Sequence, residues 1–235
     1  MSDSYKISLV MPVLNEESAL SDALMALIRD QDFKEIIVVD GGSTDSTVKI
    51  VEKFIADHPN HGLRLLCSDI GRAQQMNAGA MLAQSPILLF LHADSRLPAQ
   101  IGATIVAVME RYHWGFFRIR IDSHNPLLWL VSQMMCWRST LTAIATGDQA
   151  LFINTEYFRT LGGFAPIPLM EDIELCRRLK SSGRPGQILE PVRTSARRWQ
   201  RYGIVRTIVL MWSLRFAYWR GVAPNKLQHR YVNTR

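Results

Sequence analysis

The apolar positions along the chain fall into two periods. Ile7-Ser8-Leu9-Val10-Met11, Glu35-Ile36-Ile37-Val38-Val39, Leu63 to Cys67 and Ile87-Leu88-Leu89-Phe90-Leu91 are short runs rich in branched residues. Such runs read as strands. The last, five apolar residues behind Pro86, reads as a strand buried on both faces. Between the runs the period lengthens to that of a helix. Leu20, Leu24, Leu27 and Ile28 mark one helix, the stretch behind Gly41-Gly42-Ser43-Thr44-Asp45 a second running to about Ala56, and Gly71 to Ala80 a third. Ser43 or Thr44 is the expected cap of the second helix. This alternation of strands and helices predicts an α/β fold, a doubly wound and mostly parallel sheet flanked by helices.

Beyond Arg96 the pattern loosens. Ile101 to Glu110 reads as a helix, Trp114 to Ile121 as a strand and Pro126 to Trp137 as an apolar helix. Ala150 to Ile153 reads as a short strand, Glu156 to Leu161 as a short helix, and Met170 to Leu179 as a helix that starts at acids. Gln187 to Ser195 holds a strand or two, and Tyr202 to Trp219 a long apolar helix. No repeat, low-complexity segment or linker interrupts the chain. One domain over residues 1–190 and a C-terminal extension over residues 191–235 are expected.

Composition changes this picture in one respect. A hydrophobic fraction of 48% and a charged fraction of 20% are those of a folded protein, not a disordered one. The formal charge of +6 is unevenly spread: all 21 acidic residues lie at or before Glu190, while ten of the 27 basic residues lie after it. A basic end on a mildly acidic body suggests an anionic partner. Nucleic acid is the weakest choice, because no recognised binding motif accompanies the charge. No secretory signal pattern precedes Ile7, and Cys67, Cys136 and Cys176 fit neither a disulfide framework nor a zinc site. A reducing, cytoplasmic setting is therefore expected.

Two strands end in carboxylates. Asp40 closes the second strand and Asp94 follows the fourth, so both lie at the carboxyl edge of the sheet, where open α/β folds bind ligands. Asp94 could instead cap the turn into the next helix near Pro98, and Gly41 to Asp45 is also ordinary turn chemistry. Glu171 and Asp172 open a helix with an inner stripe of Ile173, Leu175, Cys176 and Leu179. They are first-turn acids, and the helix dipole should keep Asp172 ionised. Gly147-Asp148-Gln149 is a turn before a strand that could face an acceptor.

Taken in order, Pro12-Val13-Leu14-Asn15-Glu16, Val38-Val39-Asp40-Gly41-Gly42-Ser43-Thr44-Asp45, Gly71-Arg72-Ala73 with Asn77-Ala78-Gly79, His92-Ala93-Asp94, and Gly162-Gly163-Phe164 with Glu171-Asp172 resemble the family 2 glycosyltransferases over about residues 7–180. Arg197-Arg198-Trp199 and the apolar helix beyond it are similar to a small bacterial subgroup, the radical-SAM/selenodomain-associated family 2 transferases. The resemblance implies a GT-A fold, a Rossmann-like mostly parallel mixed sheet joined to an acceptor half. It implies inverting transfer of a sugar from a nucleotide-diphospho-sugar, with UDP the expected nucleotide.

It also assigns roles. Pro12, Leu14, Glu16, Asp40, Arg72 and Asn77 match donor-nucleotide contacts. Asp94 matches the last acid of the Asp-x-Asp motif that holds Mg²⁺ or Mn²⁺, and Asp172 the catalytic base. His92, Asp148, Glu171, Arg198 and Trp199 are further candidates for acceptor or phosphate contacts. His92 departs from the pattern, since it replaces the motif's first carboxylate. An imidazole adds no negative charge, so the donor phosphates would supply much of any metal's coordination. Alternatively His92 serves only in a structural hydrogen bond at the strand end.

The C-terminal helix has only eight residues between Arg206 and Arg215, too few for a span of about 20 apolar residues. Arg206 and Arg215 lie on opposite sides, so the helix is not cleanly two-faced. It could rest on the domain, in a homodimer seam, or on the anionic inner face of the cell membrane with a lipid-linked acceptor nearby. A non-catalytic nucleotide-sugar sensor or membrane-docked scaffold is the competing function, motivated by His92 and the basic end.

Overall fold

Every residue of the first strand, β1 (Ile7–Val13), is buried. Alternate side chains enter different cores: Leu9 and Met11 face one cluster, Val10 the other, as the two-residue period of a strand requires. The computed structural model describes residues 6–30 and 32–232. Met1 to Tyr5, and the last three residues of the basic extension, lie outside them.

The chain continues through α1 (Glu17–Asp30), β2 (Glu35–Asp40), α2 (Thr47–Asp57), β3 (Leu63–Cys67), α3 (Arg72–Leu82) and β4 (Ile87–Phe90). These are the elements that hydrophobic periodicity predicts. β5 (Ser95–Arg96), α4 (Gly102–Met109), β6 (Trp114–Asp122), α5 (Pro126–Thr142), β7 (Phe152–Asn154), α6 (Thr155–Thr160), α7 (Glu171–Leu179) and β8 (Gly186–Ser195) follow. The eight strands form one sheet in the order β3-β2-β1-β4-β7-β6-β8-β5. β1, β2, β3 and β4 pair in parallel, whereas β7 runs antiparallel to both β4 and β6. α1, α2 and α4 cover one face through Leu20, Leu24, Val51 and Ile105. α3, α6 and α7 cover the other through Met76, Ala80, Phe158 and Leu175. Strand order reverses direction between β1 and β4, which opens the ligand crevice at their carboxyl ends.

Gly79 shows why α3 can lie so close to the sheet. A Cβ there would stand 2.5 Å from Val10 Cγ1 and 3.0 Å from Val39 Cγ2.

Two local expectations are corrected. Neither Ser43 nor Thr44 caps α2, whose N-cap position is Ser46. Ser43 Oγ instead accepts from Asn15 N (2.9 Å), and Thr44 N donates to Asn15 Oδ1 (2.8 Å), tying the first two strand-end loops together. Asp94 does not cap a helix, because β5 intervenes and α4 has Ile101 at its N-cap. The expected long apolar helix over Tyr202 to Trp219 is α9 (Ile204–Trp219); it begins after Gly203, φ +82°, and a short helix that was not expected, α8 (Arg197–Tyr202), precedes it. A further helix, α10 (Pro224–Val232), folds back so that Leu227 and Tyr231 pack on Met170, Ile173 and Leu214.

Candidate active site

The loops after β1 and β2 form the first part of the site. Pro12 is buried in β1 opposite Val39, and Leu14 emerges beyond it, 37% exposed. Asp40 Oδ2 accepts from Gly42 N (2.9 Å) and Ser43 N (3.0 Å), so this carboxylate holds its own turn. Its Oδ1 has only a longer contact with Ser43 N, 3.3 Å. Beneath the turn, Gln75 Nε2 donates to Val13 O and Val39 O, both at 2.8 Å, and fixes the ends of β1 and β2. Glu16 meets Arg197, whose Nη2 lies 3.1 Å from Glu16 Oε2 and whose Nη1 donates to Ser18 Oγ at 2.9 Å.

The second part is a narrow cleft of about 350 Å³, continuous with solvent, lined by His92, Thr146, Gly147, Glu171 and Asp172 among others. His92 follows β4. Its Nδ1 lies 3.2 Å from Asp148 Oδ1, in the 3₁₀ turn Gly147–Gln149. Asp172, in the first turn of α7, accepts from Gly147 N at Oδ2 (2.9 Å) and from Ile173 N at Oδ1 (2.7 Å). Gln149 anchors the turn: its Nε2 donates to Ser139 Oγ (2.9 Å) and Phe117 O (3.1 Å).

The electrostatics of this cluster follow from its burial and its charges. Burial most strongly raises the Asp172 pKa, with Asp148 adding to it, against hydrogen bonds from Gly147 and Ile173 and the charge of Arg72. Burial, then the neighbouring Asp172, raises Glu171 as well. The expectation that the helix dipole keeps Asp172 readily ionised is thus corrected: lost hydration outweighs the favourable end of a short helix. Asp148 goes the other way. Burial opposes its charge, but the His92 hydrogen bond and the charges of His92, Arg72 and Arg198 lower its pKa. Its side chain is 46% exposed, so solvent screens part of this effect. Arg72 is an exposed residue at the start of α3 that does not line the cleft but lies within electrostatic reach of its acids. Dehydration works against its charge, but Tyr231, Glu171, Asp148 and Asp172 together raise its pKa.

The structure therefore brings His92, Asp148, Glu171, Asp172 and Arg72 together, with Arg198 in the same field. Arg198 also stacks 4.3 Å from the ring centre of Tyr231. Asp40 does not line this cleft; it lies two strands over on the same edge. Asp94 is in the turn beyond His92, its carbonyl accepting from Ser195 N at 3.2 Å and its Oδ1 3.5 Å from Ser95 Oγ. Two candidates are placed elsewhere. Both polar ends of the Asn77 side chain engage Phe164, donating to its O (2.8 Å) and accepting from its N (2.9 Å), so Asn77 clamps a loop. Trp199 packs in an apolar cluster with Ile121, Leu128 and Ile208, because α8 turns it away from the cleft.

Two participants escape sequence reasoning: Arg138 and Tyr231. Arg138 is the one charged residue of α5, lies near Asp172, and has its Nε buried without a partner. A lone charge in an otherwise apolar helix was its available signal. Cys176 lines the cleft, but burial pushes its thiol up to about 12, so it is no nucleophile.

Among the described residues, no three His, Cys, Asp or Glu side chains are grouped to hold a metal ion. Asp94 and His92 are the near candidates, and His92 Nδ1 already faces Asp148.

A mostly parallel sheet with a carboxylate cluster at its carboxyl edge, flanked by helices, is the architecture of GT-A glycosyltransferases. The chain belongs to glycosyl transferase family 2, whose family model matches residues 8–164. It is 32% identical over 164 residues to the dolichyl-phosphate beta-glucosyltransferase of Dictyostelium discoideum, covering 65% of this chain and 50% of that protein. Among solved structures it resembles S. aureus TarS 1-349 in complex with UDP-GlcNAc, with TM-score 0.61, 20% identity, and coverage of 80% of this chain and 58% of that one. It also resembles a mannosyltransferase from Pyrobaculum calidifontis in complex with GDP-Man and Mn²⁺, with TM-score 0.64, 23% identity, and coverage of 83% and 57%. The chain spans from about a fifth to half the length of the curated relatives it matches. These matches establish the family. They do not show the narrower radical-SAM subgroup.

Proposed function

We propose that the chain moves a sugar from a nucleotide-diphospho-sugar, with UDP as the nucleotide, to a hydroxyl acceptor, with inversion at the anomeric carbon. One observation carries this reading. Asp172 is held by two backbone N–H groups on the wall of a cleft that His92, paired with Asp148, also lines, with Arg72 in the same field.

In this reading the acceptor hydroxyl attacks the anomeric carbon and gives its proton to Asp172. The bond from that carbon to the diphosphate oxygen breaks, and the electron pair leaves with the diphosphate. A carboxylate with a raised pKa is a better match to this task near neutral pH. Arg72 and Arg198 offset the charge that grows on the leaving group. His92 holds Asp148 in place and keeps its carboxylate ionised. Mg²⁺ or Mn²⁺, where used, would rest mainly on the donor's own phosphate oxygens, with Asp94 as the protein's carboxylate; its chemistry is charge neutralisation at the diphosphate. The relative's dolichyl-phosphate name favours a lipid-linked acceptor here. β8 carries the sheet to Ser195, so we place the division between catalytic domain and C-terminal extension after that residue.

Two measurements test the proposal. Titration with UDP and Mn²⁺ by calorimetry should show binding that Asp94→Ala weakens. Slow donor hydrolysis without acceptor should fall by about 10²-fold or more in Asp172→Asn. Hydrolysis equal to the parent's in Asp172→Asn overturns the role of Asp172. No turnover with any donor favours the nucleotide-sugar sensor instead.

A further inference from the structure

The two longest described helices, α5 and α9, bury one side and leave the other in water. On α5 the outward positions are Leu127, Leu130, Met134, Trp137 and Leu141, each 45–86% exposed. On α9 they are Val205, Val209, Trp212, Phe216 and Trp219, each 60–71% exposed. Both sets repeat every three or four residues, so each forms one continuous stripe about 20 Å long. The buried residues of α9, Thr207 and Leu214, lie on the opposite side of that helix. One apolar cluster joins the two helices: Leu128, Val131 and Met135 of α5 meet Ile204 and Ile208 of α9. Scattered surface hydrophobics need no explanation, but two stripes on joined helices do.

We propose that this α5–α9 face docks on an anionic phospholipid bilayer surface. Charge selects that occupant. Neither α5 nor α9 contains an acidic residue, and none follows Glu190. Taking about 100° per residue, Arg206 and Arg215 flank the α9 stripe on either side. Their opposite placement therefore leaves the stripe clear between them, with each guanidinium positioned to snorkel toward headgroups. Arg198 and Arg206, with Tyr202 and Thr207, line a shallow depression open to solvent beside the stripe, which adds positive charge there. Trp137, Trp212 and Trp219 are residues that favour the membrane interface. A second copy fits less well, because a two-fold pairing of stripes would set arginine against arginine without a carboxylate on either helix. No helix among the described residues is long and apolar enough to cross a membrane, so the face lies on the surface.

Docking would also bring the bilayer close to the reaction. α8 links the two regions, with Trp199 in the α5–α9 cluster and Arg198 in the field of Asp148.

The test is co-sedimentation of the full chain with phosphatidylcholine vesicles, with and without phosphatidylglycerol as about a third of the lipid. The chain should bind the anionic vesicles at least tenfold more tightly than the neutral ones, and less tightly as salt rises. The double substitution Trp212→Glu with Phe216→Glu should weaken binding by about tenfold or more, while UDP affinity and donor hydrolysis stay unchanged. That unchanged activity shows that the variant is folded, and it separates this proposal from the transfer reading, which would stand without it. Equal partitioning of parent and variant overturns the proposal. So does a parent that stays in solution with both vesicle types, or one that forms a dimer which the double substitution dissolves.

Discussion

Replacing Gly147 by alanine probes the centre of the site with a single methyl group. The backbone of Gly147 is not in the left-handed region, so alanine adopts it without strain. The conflict is steric. The new Cβ would lie 2.6 Å from His92 Cε1 and 2.8 Å from His92 Nε2, where ordinary contacts begin at 3.4 Å. Something must therefore move by about 0.6–0.8 Å. If the ring retreats, the 3.2 Å contact between His92 Nδ1 and Asp148 Oδ1 stretches beyond hydrogen-bonding range. If the turn retreats instead, the 2.9 Å bond from Gly147 N to Asp172 Oδ2 is lost. Either way one carboxylate of the cluster loses a partner. Overpacking of this kind costs about 1–3 kcal/mol, and a chain of this size loses roughly 2–4 °C of Tm per kcal/mol. A displacement approaching 1 Å at a reacting group lowers turnover by up to about 10²-fold. Thermal unfolding and donor hydrolysis should be measured for the parent, Gly147→Ala, His92→Ala and the double variant. Removing the His92 ring should make room for the methyl, so Gly147→Ala adds no more than about 0.5 kcal/mol in that background. Strict additivity of the two stability changes, or a Gly147→Ala protein indistinguishable from the parent, would refute the reasoning.

Two further outcomes are expected. Asn77→Ala should cost about 1–3 kcal/mol by stranding Phe164 N and O. UDP affinity should stay unchanged, and a tenfold affinity loss at constant Tm would instead make Asn77 a nucleotide ligand. Asp172 holds its proton more tightly folded than unfolded, so its ionisation works against folding. That penalty is absent below the unfolded value of 3.8 and grows as pH rises through the raised folded value. The Tm difference between Asp172→Asn and the parent should therefore move in favour of the variant from pH 4 to pH 8; a difference independent of pH contradicts the assigned burial.

Some elements were legible because their cause is local. β1, β2 and β4 are buried on both faces, so nearly every position in them is apolar and the run stands out of the chain. α7 was legible because its buried positions Ile173, Leu175, Cys176 and Leu179 repeat at helical spacing. α10 was not, since among its described side chains only Leu227 and Tyr231 are buried apolar residues. Asn77 shows a different limit. An amide inside a motif suits a ligand and a backbone clamp equally, and only the position of Phe164 distinguishes them. Asp40 is similar, because its turn satisfies one carboxylate oxygen from Gly42 and Ser43.

From its residues alone this chain specifies a doubly wound sheet, the strand ends that carry Asp40 and Asp94, and the acids that open α7. Each depends on periodicity or on neighbours a few positions apart. What folding alone decides is which of those groups act together. His92 and Asp148 are 56 residues apart in the chain and 3.2 Å apart in space. Gly147 reaches Asp172 across 25 residues, and Arg197 reaches Glu16 across 181. The same is true of charge. Asp148 is lowered and Asp172 raised because one meets His92 and two arginines while the other is buried beside another acid. Hydration and charge–charge forces depend on distance in three dimensions, which residue order does not contain.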